Sequence, residues 1–87
     1  MTNEQYLAAI SEAALILQKL GKKEFSRQDI ISLVTWKFKD AVENTINPMI
    51  QGLTDNLKGG SPYTEGMKPL FHSVERGVFV LVKCNAE

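Results

Sequence analysis

Residues 69–83, PLFHSVERGVFVLVK, are the stretch that decides the fold of this chain. Two apolar runs of strand length flank the tripeptide 75–77, ERG. A three-residue loop that ends in glycine suits a type I turn followed by a left-handed bulge residue. The pattern therefore predicts a tight antiparallel β-hairpin. Its expected cross-strand pairs are Val74 with Val78 and Leu70 with Val82.

Three helix-length segments precede the hairpin, and the first is predicted from about Asn3 to Leu20. Thr2 with Gln5 can form a capping box at its start, and Gly21 offers the left-handed residue that commonly follows a helix. Apolar side chains at helical spacing define its inner face. The expected core residues are Tyr6, Ile10, Ala14 and Leu17, flanked by Leu7, Ala13 and Leu20.

The second helix is predicted from Arg27 to about Phe38. Ser26 followed by Asp29 marks its start, because this spacing is another capping signature. Phe25, directly before the helix, is expected to form a strand of one or two residues beside the hairpin. The side chains expected to face inward are Ile30, Ile31, Val34 and Phe38.

The third helix has two alternative starts. Asp40, with Glu43 three residues later, is one candidate cap and Asn44 is the other. Pro48 lies close to the first turn if Asn44 is the cap, whereas a cap at Asp40 predicts a kink near residues 44–48. The helix is predicted to end near Leu57, before a pair of glycines. Its expected buried face is Val42, Ile46, Met49, Ile50, Leu53 and Leu57.

Residues 58–68, KGGSPYTEGMK, contain three glycines and a proline and have no periodicity. They predict a surface loop that is long for so small a domain, and loops of that length are often functional or mobile. The chain as a whole, residues 1–87, is predicted to be one α+β domain with three helices, a short strand near Phe25 and a C-terminal hairpin.

The chain is electrically balanced, with 10 basic and 10 acidic residues. A nucleic-acid binder usually carries a basic surplus, and only residues 58–83 show a mild one. The single cysteine, Cys84, excludes an internal disulfide and a cysteine-based zinc cluster. No apolar run approaches the ~20 residues needed to span a bilayer, and the N-terminus lacks the pattern of a signal peptide. We expect a cytoplasmic protein.

The sequence contains few side chains that could form a catalytic site. His72 is the only histidine, so no Ser/His/Asp set is credible, and neither a phosphate-binding loop nor a dinucleotide-binding glycine motif occurs. His72 itself is expected to be half-buried and hydrogen-bonded. We therefore expect no enzyme activity, no cofactor, no metal and no small-molecule ligand.

The third helix carries a stripe of amides opposite its core. Asn44, Asn47 and Gln51 lie at positions i, i+3 and i+7, with Thr45 and Lys58 near the edges of the stripe. Amide side chains match the paired donor and acceptor of adenine in the major groove, and a recognition helix contacts bases mainly through its N-terminal half. The alternative is an ordinary solvated face.

Several basic or polar residues are candidates for contacts with the DNA backbone. Arg76 lies at the hairpin tip, where a side chain can enter a minor groove or bind phosphate. For every one of these candidates, the alternative interpretation is an exposed residue without a functional role. The remaining candidates are Lys37 and Lys39, between the second and third helices, and Arg27 and Gln28, at the start of the second.

Two apolar residues fall outside the predicted core. Leu15 lies nearly opposite the core stripe of the first helix, so it is either a scattered exposed leucine or a homodimer contact through that helix. Trp36 projects away from the inner face of the second helix. It either folds over the helix end onto a neighbouring loop or marks a partner surface, where tryptophan is enriched.

The whole chain resembles winged helix-turn-helix domains, and in particular a small bacterial subfamily that occurs alone or attached to restriction-type endonuclease modules. The resemblance covers roughly residues 5–82, through the segment NTINPMIQGLTDN (44–56), a Gly-Gly loop and the hairpin. The matching residues are Thr54, Asn56, Gly59, Gly60, Leu70, Phe71, Ser73, Val74, Arg76, Gly77, Phe79 and Leu81.

The resemblance implies a protein that binds double-stranded DNA without catalysis, such as a transcriptional regulator or a targeting module. The competing interpretation is a winged helix for protein–protein interaction, in a homodimer or as a subunit of a restriction or phage-defence complex. Zero net charge, Leu15, Trp36 and the 58–68 loop favour that alternative.

Overall fold

A computed structural model describes residues 2–64 and 67–82. Within them the fold is α+β, as predicted: three helices are followed by a two-stranded antiparallel hairpin in a winged-helix-like order. Lys83, Cys84 and Glu65 lie outside the described residues. The elements are α1 (Asn3–Lys19), α2 (Arg27–Lys37), α3 (Glu43–Gly52), a 3-10 turn (Pro62–Thr64), β1 (Phe71–Glu75) and β2 (Val78–Leu81).

Both predicted capping boxes form. Gln5 N–H donates to the Thr2 hydroxyl at 3.1 Å, and Thr2 N–H donates to the Gln5 side chain at 2.8 Å. The same reciprocal pair joins Ser26 and Asp29 at the start of α2. Each box satisfies donors that the first helical turn leaves without a partner, so local sequence is sufficient to place these two helix starts.

The start of α3 differs from both predicted alternatives. Its N-cap is Val42, without a side-chain cap, rather than Asp40 or Asn44. Val42 N–H instead donates to the Tyr6 hydroxyl of α1 at 3.0 Å, so a tertiary contact takes the place of a local cap. Pro48 lies inside the helix.

The end of α3 also differs, because the helix stops at Gly52 and not near Leu57. The carbonyl of Leu53 accepts N–H groups from Leu70 at 2.8 Å and Phe71 at 3.0 Å. Asp55 N–H in turn donates to the carbonyl of Phe71 at 2.9 Å. The backbone after Gly52 therefore pairs with Leu70 and with Phe71, the first residue of β1, instead of continuing a helix.

The core lies between the three helices and the inner face of the hairpin. Phe71 packs edge-to-face against Phe25 and Phe79, with ring centroids 5.8 and 6.3 Å apart. Phe25 also forms the predicted strand, as a single antiparallel bridge to Phe79. The other fully buried large side chains are Ile10, Ile30, Val34, Ile46, Met49, Ile50 and Leu53.

Two residues predicted to face the core are exposed. Leu20 is 75% exposed because it is the C-cap of α1, where the chain leaves the helix toward Gly21. Val42 is 50% exposed because it precedes α3 and faces α1 through its backbone N–H. Phe38 and Leu57 are partly buried against the core.

The hairpin forms with a shifted turn. The pairs Phe71–Leu81, His72–Val80 and Ser73–Phe79 follow one register, and Glu75 then pairs with Val78 across a bulge. The predicted Val74–Val78 pair is therefore wrong, because the bulge falls on β1 at Val74. Val82 N–H donates to the carbonyl of Leu70 at 2.9 Å, as the predicted pair requires. Gly77 has φ of 79°, the left-handed value expected for the turn.

The described part of the 58–68 loop lies against α3. Ser61 N–H donates to the carbonyl of Pro48 at 3.0 Å, and Thr64 is buried. A Cβ on Gly60 would lie 2.4 Å from the Gly52 nitrogen, so only glycine allows this close approach.

None of the helices described is long and apolar enough to cross a membrane.

Candidate nucleic-acid interface

Arg27, the first residue of α2, reaches across to the polar face of α3. Its Nη1 donates to the side-chain oxygen of Asn47 at 2.9 Å and to the backbone carbonyl of the same residue at 3.2 Å. Its Nη2 donates to the Oε1 of Gln51. We call these three residues the Arg27 cluster. It joins a predicted phosphate contact to two of the three predicted base-reading amides.

The guanidinium of Arg27 also contacts an aromatic ring of the hairpin. Its central carbon lies 5.1 Å from the ring centroid of Phe79, a buried residue of β2, which is within cation–π range. Partial burial lowers the pKa of Arg27 from its ordinary value. The cation is therefore fixed between α2, α3 and the hairpin rather than free in solvent.

Gln51 is engaged at both ends of its amide. While Oε1 accepts from Arg27, Nε2 donates to the backbone carbonyl of Lys58 at 2.8 Å. The Arg27 cluster, Pro48 and Gly60 line a surface hollow of about 460 Å³. The hollow lies where the second half of α3 meets the 58–68 loop.

The remaining candidates on and around α3 are accessible. Asn44 is exposed in the first turn of α3, and Thr45 beside it is half-buried. Lys58 and Arg76 are exposed, the latter in the hairpin turn. No ion pair engages either of these two cations within residues 2–64 and 67–82.

The other candidates on α2 lie apart from the Arg27 cluster. Lys37 forms an ion pair with Glu12 of α1 at 2.6 Å. Gln28 donates to the Ser32 hydroxyl at 3.1 Å on its own helix, and Lys39 is exposed in the connection to α3. The structure therefore singles out Arg27 among the residues predicted near α2.

Asp55 and His72 form a pair that the sequence does not predict. The His72 Nδ1 lies 2.8 Å from the Asp55 Oδ1. The predicted half-buried, hydrogen-bonded state of His72 is confirmed, since its side chain is 46% exposed. In the part of the chain described, no three His, Cys, Asp or Glu side chains are grouped so that they could hold a metal ion.

The sequence does not predict the part that Asn56 has in the scaffold of the candidate interface, nor the contacts that Arg27 makes within it. Asn56 binds the backbone of Ser73 through both ends of its amide. Arg27 was considered for phosphate alone, without its contacts to Asn47 and Gln51. The spacing of 47 and 51 places these amides on one helix face, but nothing local indicates that a cation from another helix lies between them.

The outer surfaces of α1 and α2 each carry an exposed large apolar side chain, Leu15 on α1 and Trp36 on α2. Trp36 is 79% exposed, so the expectation that it folds onto a neighbouring loop is wrong. Leu15 is 51% exposed, as expected from its position opposite the core stripe. Both lie within one helical turn of the Lys37–Glu12 ion pair, which holds the end of α2 beside the middle of α1.

These features define a small α+β protein of winged-helix-like architecture, with a braced cation on the outer face of its third helix. The chain belongs to a family described as a domain of unknown function (DUF7669), whose match covers residues 8–81. The match includes most of α1 and all of the later helices and strands. Neither the curated proteins nor the solved structures contain a match to the chain.

Proposed function

We propose that this protein binds double-stranded DNA through α3, as a winged-helix regulator or targeting module without catalytic activity of its own. The observation that carries the proposal is the Arg27 cluster. A helix face that is only solvated does not require a half-buried cation. A surface that binds DNA does gain affinity from a cation held in a fixed position. A cytoplasmic location is part of the same proposal.

The geometry supports a division of roles along α3. Asn44, with Thr45 and Asn47, belongs to the N-terminal half that a recognition helix directs at base edges. Arg76 at the hairpin turn and Lys58 after α3 are the proposed phosphate contacts. Lys37 and Lys39 at the α2–α3 connection, together with Gln28, are secondary candidates for contacts with the DNA backbone. They lie apart from Arg76 and Lys58.

The charge distribution sets an upper limit on nonspecific affinity. Ion pairs occupy Lys22 and Lys37, with Asp29 and Glu12 as partners, so these lysines add little field toward DNA. Glu43 lies in the first turn of α3 and opposes phosphate there. The proposed binding therefore depends on a few positioned contacts rather than on a broad basic surface.

Fluorescence anisotropy against a labelled random-sequence duplex pool tests the proposal. We expect micromolar or tighter binding that weakens steeply between about 50 and about 300 mM salt, because each phosphate contact releases a counterion. Lack of binding at the lowest salt concentration would refute the proposal.

A second candidate function is protein–protein interaction through the outer surfaces of α1 and α2. Exposed tryptophan and leucine favour it, since aromatic residues are enriched where partners bind. The partner would be a second copy or a larger protein of a restriction or phage-defence complex. Sedimentation equilibrium of the full chain tests the first option: a dimer that Trp36→Ser converts to a monomer supports it, and a monomeric wild type contradicts it.

A further inference from the structure

We propose that Arg27 acts as a positioning residue that fixes the orientation of the Asn47 and Gln51 amides, so that α3 prefers guanine to adenine. This inference rests on the proposed DNA binding. It differs from the expectation drawn from the sequence, which assigned these amides to adenine because of their paired donor and acceptor.

The chemistry of the Arg27 guanidinium sets the orientation of both amides. A guanidinium has only N–H donors and no acceptor. An amide beside it must therefore present its oxygen, and the NH2 group must lie at the other end. Both Asn47 and Gln51 meet Arg27 through their side-chain oxygens. Rotating either amide would place N–H against N–H.

The Gln51 amide has a second constraint. Its Nε2 donates to the carbonyl of Lys58, and a carbonyl can only accept. A flipped amide would then face a donor with a donor and an acceptor with an acceptor. Gln51 retains one N–H for a ligand, while one lone pair of its oxygen is taken by the cation.

Asn47 has a second contact with Arg27, through its backbone carbonyl. The same Nη1 group of Arg27 that meets the side-chain oxygen also meets the backbone carbonyl. This pair of contacts fixes the residue relative to the cation. In the described residues no hydrogen bond uses the Asn47 NH2 group, so both of its N–H donors remain for a ligand.

The outer surface of the Arg27 cluster is therefore rich in donors. Adenine needs both an acceptor for its N6 amino group and a donor for N7. Guanine presents two acceptors, O6 and N7, and no donor on its major-groove edge. Arg27 takes one lone pair of each amide oxygen and places a positive charge beside it, whereas the free N–H groups are not opposed in this way. The cluster therefore matches guanine better than adenine. Phosphate oxygens share this acceptor chemistry, and the experiment must distinguish the two.

Selection from a random duplex pool with the full chain tests the proposal. Arg27→Met removes the guanidinium and frees both amides, whereas Arg27→Lys keeps a donor-only cation. Lys19→Met is a charge-matched control, because Lys19 lies in the last turn of α1 and not in the interface. We expect guanine to be selected by wild type, Arg27→Lys and Lys19→Met. Arg27→Met should lower the guanine-to-adenine ratio by about tenfold, which lies within the roughly 5- to 150-fold discrimination of a good bidentate pair.

Asn47→Asp keeps the test decisive if Arg27→Met does not fold. The carboxylate retains an oxygen for Arg27 and replaces the outward donors with an acceptor. Carboxylates accept from the N4 group of cytosine, so the selected base should change from guanine to cytosine.

The outcomes separate this proposal from the proposed function. Selection of adenine by the wild type, or binding without any base preference, overturns the role of Arg27 in specificity and leaves DNA binding intact. In the latter case the Arg27 cluster contacts phosphate. No binding to any duplex overturns both proposals.

Discussion

Asn56 and Ser73 are joined through two hydrogen bonds that imitate a strand pair. The Asn56 Nδ2 donates to the Ser73 carbonyl at 2.8 Å, and Ser73 N–H donates to the Asn56 Oδ1 at 2.9 Å. One amide thereby satisfies both backbone groups of Ser73 on the outer edge of β1. This contact links the segment after α3 to the hairpin and holds the two parts of the proposed interface in one arrangement.

Replacement of Asn56 should destabilise the protein. Asn56→Ala removes both hydrogen bonds, and we expect a loss of about 1–2 kcal/mol in the free energy of unfolding, limited by the access of water to Ser73. Urea denaturation followed by circular dichroism measures the loss. Asn44→Ala is the control, because Asn44 is exposed and should change the value by less than about 0.5 kcal/mol. Equal effects of the two substitutions would contradict the role of Asn56.

Gly60 should tolerate a side chain far less well than Gly59. Both have positive φ, 102° and 85°, so alanine is strained at either position. Only at Gly60 would the new Cβ also lie 2.7 Å from the Pro48 carbonyl. We expect Gly59→Ala to cost about 1 kcal/mol and Gly60→Ala at least about 2 kcal/mol more. Thermal unfolding of the two variants measures the difference, and equal melting temperatures would show that the loop does not lie against α3.

Stability should depend on the ionisation of Asp29 at acid pH. The pKa of Asp29 is lowered chiefly by the backbone N–H of Ser26 and next by Lys22. A carboxyl whose pKa is lower when folded binds fewer protons in the native state. Its contribution is thus complete above the ordinary aspartate pKa of about 3.9 and is lost as pH falls through the lower folded value. Urea midpoints of wild type and Asp29→Asn should differ at neutral pH and converge toward pH ~2. A difference that is independent of pH would contradict this assignment.

Arg76 should contribute to DNA binding without selecting a sequence. Arg76→Ala is expected to weaken binding to all duplexes and to reduce the slope of log affinity against log salt by about 1. Anisotropy titrations at several salt concentrations measure both effects. Lys19→Met again serves as the control with one positive charge fewer. A loss confined to one duplex sequence would instead assign base reading to Arg76.

The elements that sequence predicted well are those with local causes. Thr2 and Ser26 mark helix starts because their hydroxyls bind N–H groups three residues away. Gly77 marks the hairpin turn because few other residues adopt positive φ there. Phe25 is the exception, because its expected place beside the hairpin depends on pairing with the distant Phe79.

The elements that sequence missed depend on contacts between distant segments. The end of α3 is set by Leu70 and Phe71, which bind the carbonyl of Leu53. Its start is set by the hydroxyl of Tyr6, which accepts the N–H of Val42. The orientation of the Asn47 and Gln51 amides depends in the same way on Arg27, which lies on a different helix. The sequence therefore identified the polar face of α3, but not which hydrogen-bonding groups on that face remain for a ligand.

The most direct test of DNA binding is a titration of the isotope-labelled protein with a short duplex, followed by amide and side-chain NMR shifts at low salt. The proposal predicts the largest changes in residues 43–51, the side-chain NH2 of Asn47 and the hairpin turn at 75–77, while the Trp36 indole signal stays in place. Changes centred on Trp36 and Leu15 would contradict the proposed interface by placing the duplex on the other face. No changes at all would contradict DNA binding and favour a protein partner.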